Sequence, residues 1–264
     1  MNLELAGKNV IVTGGGSNIG RAISLAFARE SSRVAIADVD EGQARKAAAE
    51  AEHLGATAVA VPTDVTDWNS VQAMVKEVET RFGGVDVLVN NVGWTLDRLF
   101  VEKTRDEWEK EIRLNLWGMI NCTRAVLDGM IARKAGAIVS MGSDAGRMGE
   151  FREGVYAACK AGVIALSKSL AREVGRYGIR LNVVCPGMTM PDSDEDIGTL
   201  SMWAAEVNKQ WQTPEMKERI AKAYPLRRVA RPDDITGAVV FLASAAAGFI
   251  TGQTLSVSGG YTMM

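Results

Sequence analysis

Residues 9–31 read NVIVTGGGSNIGRAISLAFARES. The first five, Asn9 to Thr13, are rich in β-branched residues and have the pattern of a buried strand. The glycine-rich run Gly14-Gly15-Gly16-Ser17-Asn18-Ile19-Gly20 follows, and RAISLAFARES continues with apolar residues at helical spacing. Strand, glycine turn and helix together are the context in which a glycine motif counts as a phosphate cradle. The glycines permit positive φ and close backbone approach, and the helix N-terminus offers unpaired N–H groups to a pyrophosphate. The spacing departs from G-x-G-x-x-G, because Gly14 and Gly20 are six positions apart, one more than usual. Taken alone, such a turn also fits a purely structural role, so the residues around it decide.

Moving outward, the next strand, Arg33 to Ala37, ends at Asp38, about 20 residues beyond the loop, where dinucleotide-binding units carry an acid. A carboxylate there can accept both ribose hydroxyls of an adenosine and repel a 2′-phosphate. Strands and helices then alternate. Glu41 to Leu54 is a polar, Ala-rich helix, and Thr57 to Val61 a strand ending near Asp64 and Val65. Asp67 to Phe82 is an amphipathic helix, and Val85 to Val89 a continuous apolar run leading into Asn90-Asn91-Val92-Gly93. Thr104 to Arg133 reads as one long helix with Asn115 near its middle. Ala137 to Met141, Ile179 to Val184 and Thr254 to Val257 read as strands, and Pro232 opens a helix through Leu242. This alternation argues for an α/β fold: one domain, a three-layer parallel sheet with right-handed crossovers. Between Pro186 and Tyr224 the alternation breaks, and the Met-, Trp- and charge-rich stretch at about 188–224 reads as a substrate lid.

Composition removes other classes. The chain has 264 residues, 47% hydrophobic, with a formal charge of -2, which suits one substantial core and leaves no footprint for nucleic acid or an anionic membrane. Cys122, Cys159 and Cys185 are odd in number and dispersed, so the reading is reduced thiols, no metal and a cytoplasmic setting. No apolar run approaches transmembrane length, and the N-terminal MNLELAGKNVIV carries no cleavable leader pattern. The single histidine, His53, ends a helix and reads as structural or solvated.

The second informative stretch is residues 143–160, SDAGRMGEFREGVYAACK. GVYAACKAGVIALSKSLAREV is helical by pattern, so Tyr156 and Lys160, at i and i+4, lie on one face. A phenol with a pKa of about 10 is a poor base near neutrality, and a neighbouring cation favours its ionised form. Ser143 follows the apolar run AIVSM and sits at a strand's C-terminal end, where open parallel sheets bind ligands. Its hydroxyl can hold a carbonyl oxygen while Tyr156 gives or takes a proton. A Y-x-x-x-K pair alone would be an ordinary surface pair; with the N-terminal motif it points to catalysis.

With these elements in place the chain resembles the short-chain dehydrogenase/reductase family over nearly its full length. The resemblance rests on Thr13-Gly14 to Gly20, Asn90-Asn91-Val92-Gly93, Ser143 with Tyr156 and Lys160, Pro186-Gly187, and Asn115. It implies a Rossmann-like sheet of order 3-2-1-4-5-6-7 and hydride transfer between nicotinamide and a secondary alcohol or ketone. Tyr156 would be the acid/base, Ser143 would polarise the substrate oxygen, Lys160 would hold the nicotinamide ribose, and Asn115 would position a water. NAD contacts would come from Gly14, Ser17, Asn18, Ile19, Gly20, Asp38, Asp64, Val65, Asn91, Gly93, Tyr156, Lys160, Pro186, Gly187 and Thr189. Three positions depart from the family pattern: Asn18 in place of a glycine, Val92 in place of alanine, and Pro191 where a cofactor-contacting threonine is usual, with Thr189 as substitute.

Within the family, SDAGR, VYAACKAG, NVVCPG and GFITGQTLSVSGG look most like 2-hydroxycyclohexanecarboxyl-CoA dehydrogenases. That likeness, with Trp94, Met148, Met188 and Trp203 on segments near the tyrosine, implies an apolar, cyclic hydroxyl or keto substrate carried as a coenzyme A thioester. Arg147 and Arg152, with lid residues Lys209, Lys217, Arg219 and Lys222, would meet its anionic groups. The alternatives are a free cyclic alcohol, a sugar or a steroid-type ketone, or a non-catalytic cofactor-binding subunit. The resemblance also implies a homotetramer, with helices 104–133 and 154–176 pairing across one interface and the C-terminal residues 248–264 across another.

Overall fold

The computed structural model describes residues 3–264, with nothing taken from the side chain of Val207; Met1 and Asn2, part of the N-terminal stretch read above, lie outside the described residues. Seven strands form one parallel sheet of order β3-β2-β1-β4-β5-β6-β7: β1 (Asn9–Thr13), β2 (Arg33–Asp38), β3 (Thr57–Pro62), β4 (Val87–Asn90), β5 (Gly136–Met141), β6 (Ile179–Pro186) and β7 (Thr254–Val257). The helices are α1 (Asn18–Arg29), α2 (Glu41–His53), α3 (Trp68–Phe82), α4 (Arg105–Ile112), α5 (Gly118–Arg133), α6 (Ala145–Met148), α7 (Gly154–Val174), α8 (Glu206–Lys209), α9 (Pro214–Ala221) and α10 (Pro232–Ala243).

The strands are apolar on both faces because both faces are covered. In β1, Val10 and Val12 point into a core shared with Ile23 and Phe27 of α1 and Ile235 and Val239 of α10. Ile11, between them, points into the opposite core with Val71 and Met74 of α3 and Val126 and Met130 of α5. Each such fully buried aliphatic contributes roughly 1.5–3 kcal/mol. A three-layer sandwich follows directly from this alternation inside an uninterrupted apolar run.

Two expected elements differ. β4 begins at Val87, not Val85; Asp86 just ahead of it donates from its backbone N to the Asn9 carbonyl at 2.9 Å, and its carboxylate Oδ2 accepts from Asn9 N at 2.9 Å. The long helix is divided into α4 and α5 by a π-helical turn, Arg113–Trp117, which carries Asn115. A π turn widens the helix and changes which carbonyls are free, and such turns concentrate at functional sites. Here the freed carbonyl of Glu111 accepts from Asn115 Nδ2 at 2.8 Å. Thr104 caps α4 in a reciprocal pair with Glu107, which sets the start of the helix. The 188–224 segment consists of short helical turns and the two helices α8 and α9.

Candidate active site

The C-terminal ends of the strands open onto a cleft of about 1020 Å³ that runs from Asp38 and Asp40 at one end to Ser143, Tyr156 and Tyr261 at the other. That volume lies at the top of the roughly 300–1,000 Å³ range of small-molecule sites, room for an extended ligand and a second small molecule together.

At the first end, β1 turns into α1 through Gly14 (φ +60°) and Asn18 (φ +46°). Asparagine tolerates the left-handed region better than most residues, which explains how it stands in for a glycine. Asn18 Oδ1 is buried without a partner. Gly20 permits the closest approach: a Cβ there would lie 1.9 Å from the Gly14 carbonyl oxygen. The Asn91 side chain pins this turn to β4, donating from Nδ2 to the carbonyls of Thr13 and Gly14, both at 3.1 Å. Asp38 Oδ2 accepts from Gly16 N and Oδ1 from Asp40 N, each at 3.0 Å. Burial pushes this carboxyl up from its ordinary value, and those two donors act against the rise. Two of its lone-pair positions remain open. The 188–224 segment seats on this end: Gly198 N donates to Ser17 Oγ at 3.3 Å, Gln43 Nε2 to the Ile197 carbonyl at 3.3 Å, and Lys46 Nζ to the Glu195 carbonyl at 2.7 Å.

At the other end, α7 presents Tyr156 and Lys160 together. The Lys160 ammonium lies 5.5 Å from the Tyr156 ring centroid and donates to the Met141 carbonyl at 2.8 Å. Ser143 and Tyr156 are hydrogen-bonded to each other, and Ser143 Oγ also accepts from Ala145 N at 3.1 Å. The expectation that Lys160 draws the phenol down toward neutrality is not what the protein alone provides. Burial and then the nearby Glu153 push the Tyr156 phenol well above its ordinary value, and only the Ser143 hydrogen bond lowers it. Lys160 is itself lowered to about 8 by burial, which weakens it as a local cation.

Of the residues named from sequence, Ser143, Tyr156, Lys160 and all fifteen residues expected around the cofactor line the cleft. Thr189 does so with its hydroxyl turned back to the Gly187 carbonyl at 3.1 Å. Asn115 does not reach the surface. It is buried behind Gly93, its Nδ2 donating to the Trp94 carbonyl at 2.7 Å and its Oδ1 accepting from Trp94 N at 3.1 Å. Its side chain therefore holds backbone. Trp94, Arg152, Met188 and Trp203 line the cleft, whereas Arg147 and Met148 do not. The reason is α6, a single helical turn ended by Gly149 at φ +75°, which carries both away. Lys209 and Lys222 are paired with Glu206 and Glu218 on their own helical faces.

The structure adds an acidic group at the reacting end that the sequence reading missed. Asp97 and Glu153 line the cleft and hydrogen-bond to each other, and Glu150 Oε2 accepts from Tyr261 Oη at 2.8 Å. Burial, then Asp97 and Glu150, push the Glu153 carboxyl up to about 8; burial also raises Asp97. Glu153 had one sequence signal, its position immediately before α7 and three before Tyr156. Asp97 and Tyr261 had none, because only the fold brings residues 97 and 261 to this end.

The described residues include no group of side chains able to hold a metal ion. A family model described as enoyl-(acyl carrier protein) reductase matches residues 14–262. Curated relatives include a 3-oxoacyl-[acyl-carrier-protein] reductase of Staphylococcus aureus, 38% identical over 97% of this chain and 98% of the relative. A sorbitol dehydrogenase of Cereibacter sphaeroides is 38% identical over 99% of this chain and 100% of its own. A 3-oxoacyl-[acyl-carrier-protein] reductase of Vibrio harveyi is 38% identical over the full length of both.

Proposed function

The chain belongs to the short-chain dehydrogenase/reductase family and is an oxidoreductase of hydroxyl and keto groups, and from that premise we propose an NAD-preferring enzyme for an uncharged secondary alcohol or ketone with an apolar body. The observation that carries the reading is the single cleft joining Asp38 to the Ser143–Tyr156–Lys160 group. A nicotinamide held beside Tyr156 supplies or accepts the hydride. Gly14, Asn18 and Gly20 would hold the phosphates against the N-terminus of α1, where the unpartnered Asn18 Oδ1 is the one atom out of place for an anion. Asp38 would take the adenosine ribose hydroxyls. Arg21, the basic side chain of α1 nearest this end, is already paired with Glu50 and with Asp196 at 3.1 Å, so a 2′-phosphate would meet the Asp38 carboxylate with this cation already engaged.

In carbonyl reduction Ser143 donates to the substrate oxygen and Tyr156 delivers its proton to it as the hydride reaches carbon; in oxidation Tyr156 takes the hydroxyl proton. Lys160, anchored by the Met141 carbonyl, would fix the ribose beside the phenol. Asn115 acts through Trp94, holding the loop that walls the reacting end.

Asp97 and Glu150 make a free carboxylate beside the reacting carbon unfavourable, while Trp94, Met188 and Trp203 suit an apolar ring. This favours a free cyclic alcohol or ketone. Carriage as a coenzyme A thioester is the second reading, supported by relatives named for oxoacyl groups on a carrier protein and by Arg152 in the cleft. The 188–224 segment would act as the lid. Exposed apolar side chains on α4 and the π turn (Ile112, Trp117) and near the C-terminus (Phe249, Met263) support the two interfaces of a homotetramer. The deciding assay follows NAD reduction with simple cyclic alcohols, cyclic 2-hydroxyacyl-CoA esters and the corresponding free acids. Efficient turnover of the free acids would overturn the reading; a strong advantage of the esters would select the thioester alternative.

A further inference from the structure

Among the described ion pairs, one is enclosed: the Lys103 and Glu111 side chains are 1% and 0% exposed, whereas both partners in every other pair are at least 19% exposed. Glu111 Oε1 takes both Lys103 Nζ and the Thr95 hydroxyl, the latter at 2.8 Å, while Oε2 is buried with no partner. Such a pair is a poor source of stability, because apolar residues of the same volume often serve as well or better. Its location is more informative. Glu111 ends α4 just before the π turn, and its carbonyl receives Asn115 Nδ2 at 2.8 Å and faces Cys159 Sγ of α7 at 3.9 Å. The loop it grips runs from Gly93 to Lys103. A Cβ on Gly93 would lie 3.2 Å from both Asn115 Oδ1 and Lys160 Nζ, so the loop starts directly against the catalytic lysine.

Two consecutive residues of this loop are thus tied to one helical segment. Trp94 is held through its backbone by the Asn115 side chain, and Thr95 through its hydroxyl by the Glu111 carboxylate. Trp94, Thr95 and Asp97 all wall the reacting end of the cleft. We propose that Glu111 is a positioning residue for the reaction: its carboxylate, oriented by Lys103, fixes Thr95 and with it the register of the 93–103 loop beside Lys160. The inference rests on Tyr156 and Lys160 marking the reacting end.

The test compares two double variants of the full chain. Lys103→Met/Glu111→Gln removes both charges and keeps an acceptor for Thr95. Lys103→Met/Glu111→Leu removes the charges and the acceptor. Thermal unfolding, NAD affinity, and kcat and KM for the best alcohol are measured for each. Both variants are expected to melt near or above the unaltered protein and to bind NAD with unchanged affinity. The Gln variant should keep kcat/KM within about twofold, and the Leu variant should lose about tenfold or more, mostly in KM, as loose positioning does. Equal kinetics for the two folded variants would overturn the proposal. If the Leu variant does not fold, Thr95→Val removes the same hydrogen bond, and an unchanged KM there overturns it equally. Normal turnover by Tyr156→Phe would instead overturn the assignment of the reacting end, which separates the two failures.

Discussion

Glu153→Gln tests the electrostatics of the reacting end most directly. In the folded protein the Glu153 carboxyl is raised from 4.5 to about 8, by burial first and by Asp97 and Glu150 next. Between those two values the folded state binds a proton that the unfolded chain has released. Stability is therefore greatest below about pH 4.5 for this group and falls as pH rises toward about 8. One proton corresponds to about 1.4 kcal/mol per pH unit, so the loss from about pH 6 to about pH 8 is at most about 3 kcal/mol. For a domain of this size that is a drop of about 5–10 °C in melting temperature. Glutamine has the same shape and no titration, so the variant should lose less over the same interval and the two curves should diverge with pH. Glu153 also raises the Tyr156 phenol, so its neutral replacement should move the pH profile of alcohol oxidation to lower pH. Scanning calorimetry at several pH values and kcat/KM profiles for the two proteins measure both effects. Parallel melting curves together with an unmoved profile would refute the placement of an uncharged, buried Glu153 beside Tyr156.

Other outcomes can be checked separately. Tyr156→Phe should abolish turnover and leave NADH binding, followed by the fluorescence of the reduced nicotinamide, largely intact, because the ring is kept and only the acid/base is lost. Asp38→Ala should narrow the preference for NAD over NADP; equal kcat/KM for both cofactors in the unaltered protein would count against the role given to Asp38. Light scattering at micromolar concentration should report a homotetramer, and a monomer would sink the two-interface reading. Arg147→Ala should leave KM unchanged, since α6 carries that side chain away from the cleft, whereas Arg152→Ala should alter it.

The sequence by itself determined the fold class and most of the segments that line the cleft. Val10, Ile11 and Val12 ahead of a glycine turn require a strand covered on both faces, and the regular alternation of strands and helices then leaves few parallel arrangements. The order 3-2-1-4-5-6-7 came from resemblance, and the pairing of strands matches it. Tyr156 and Lys160 were legible because helical spacing is local, and Asp38 because one strand fixes its distance from the loop. What depends on long-range packing was not legible. The π turn at Asn115 leaves no mark in periodicity, because one widened turn shifts a helical pattern by less than a residue of ambiguity. Arg147 and Met148 sit on the single turn α6 and stay out of the cleft lining, which depends on how that turn packs in the fold. Asp97, Glu153 and Tyr261 meet at one end of the cleft although up to 164 positions separate them, and Thr95, Lys103 and Glu111 close on one another beneath it. Asp97, Glu153 and Tyr261 take altered pKa values only once water is excluded. Burial is a property of the folded assembly of segments, and no single segment of the chain carries it.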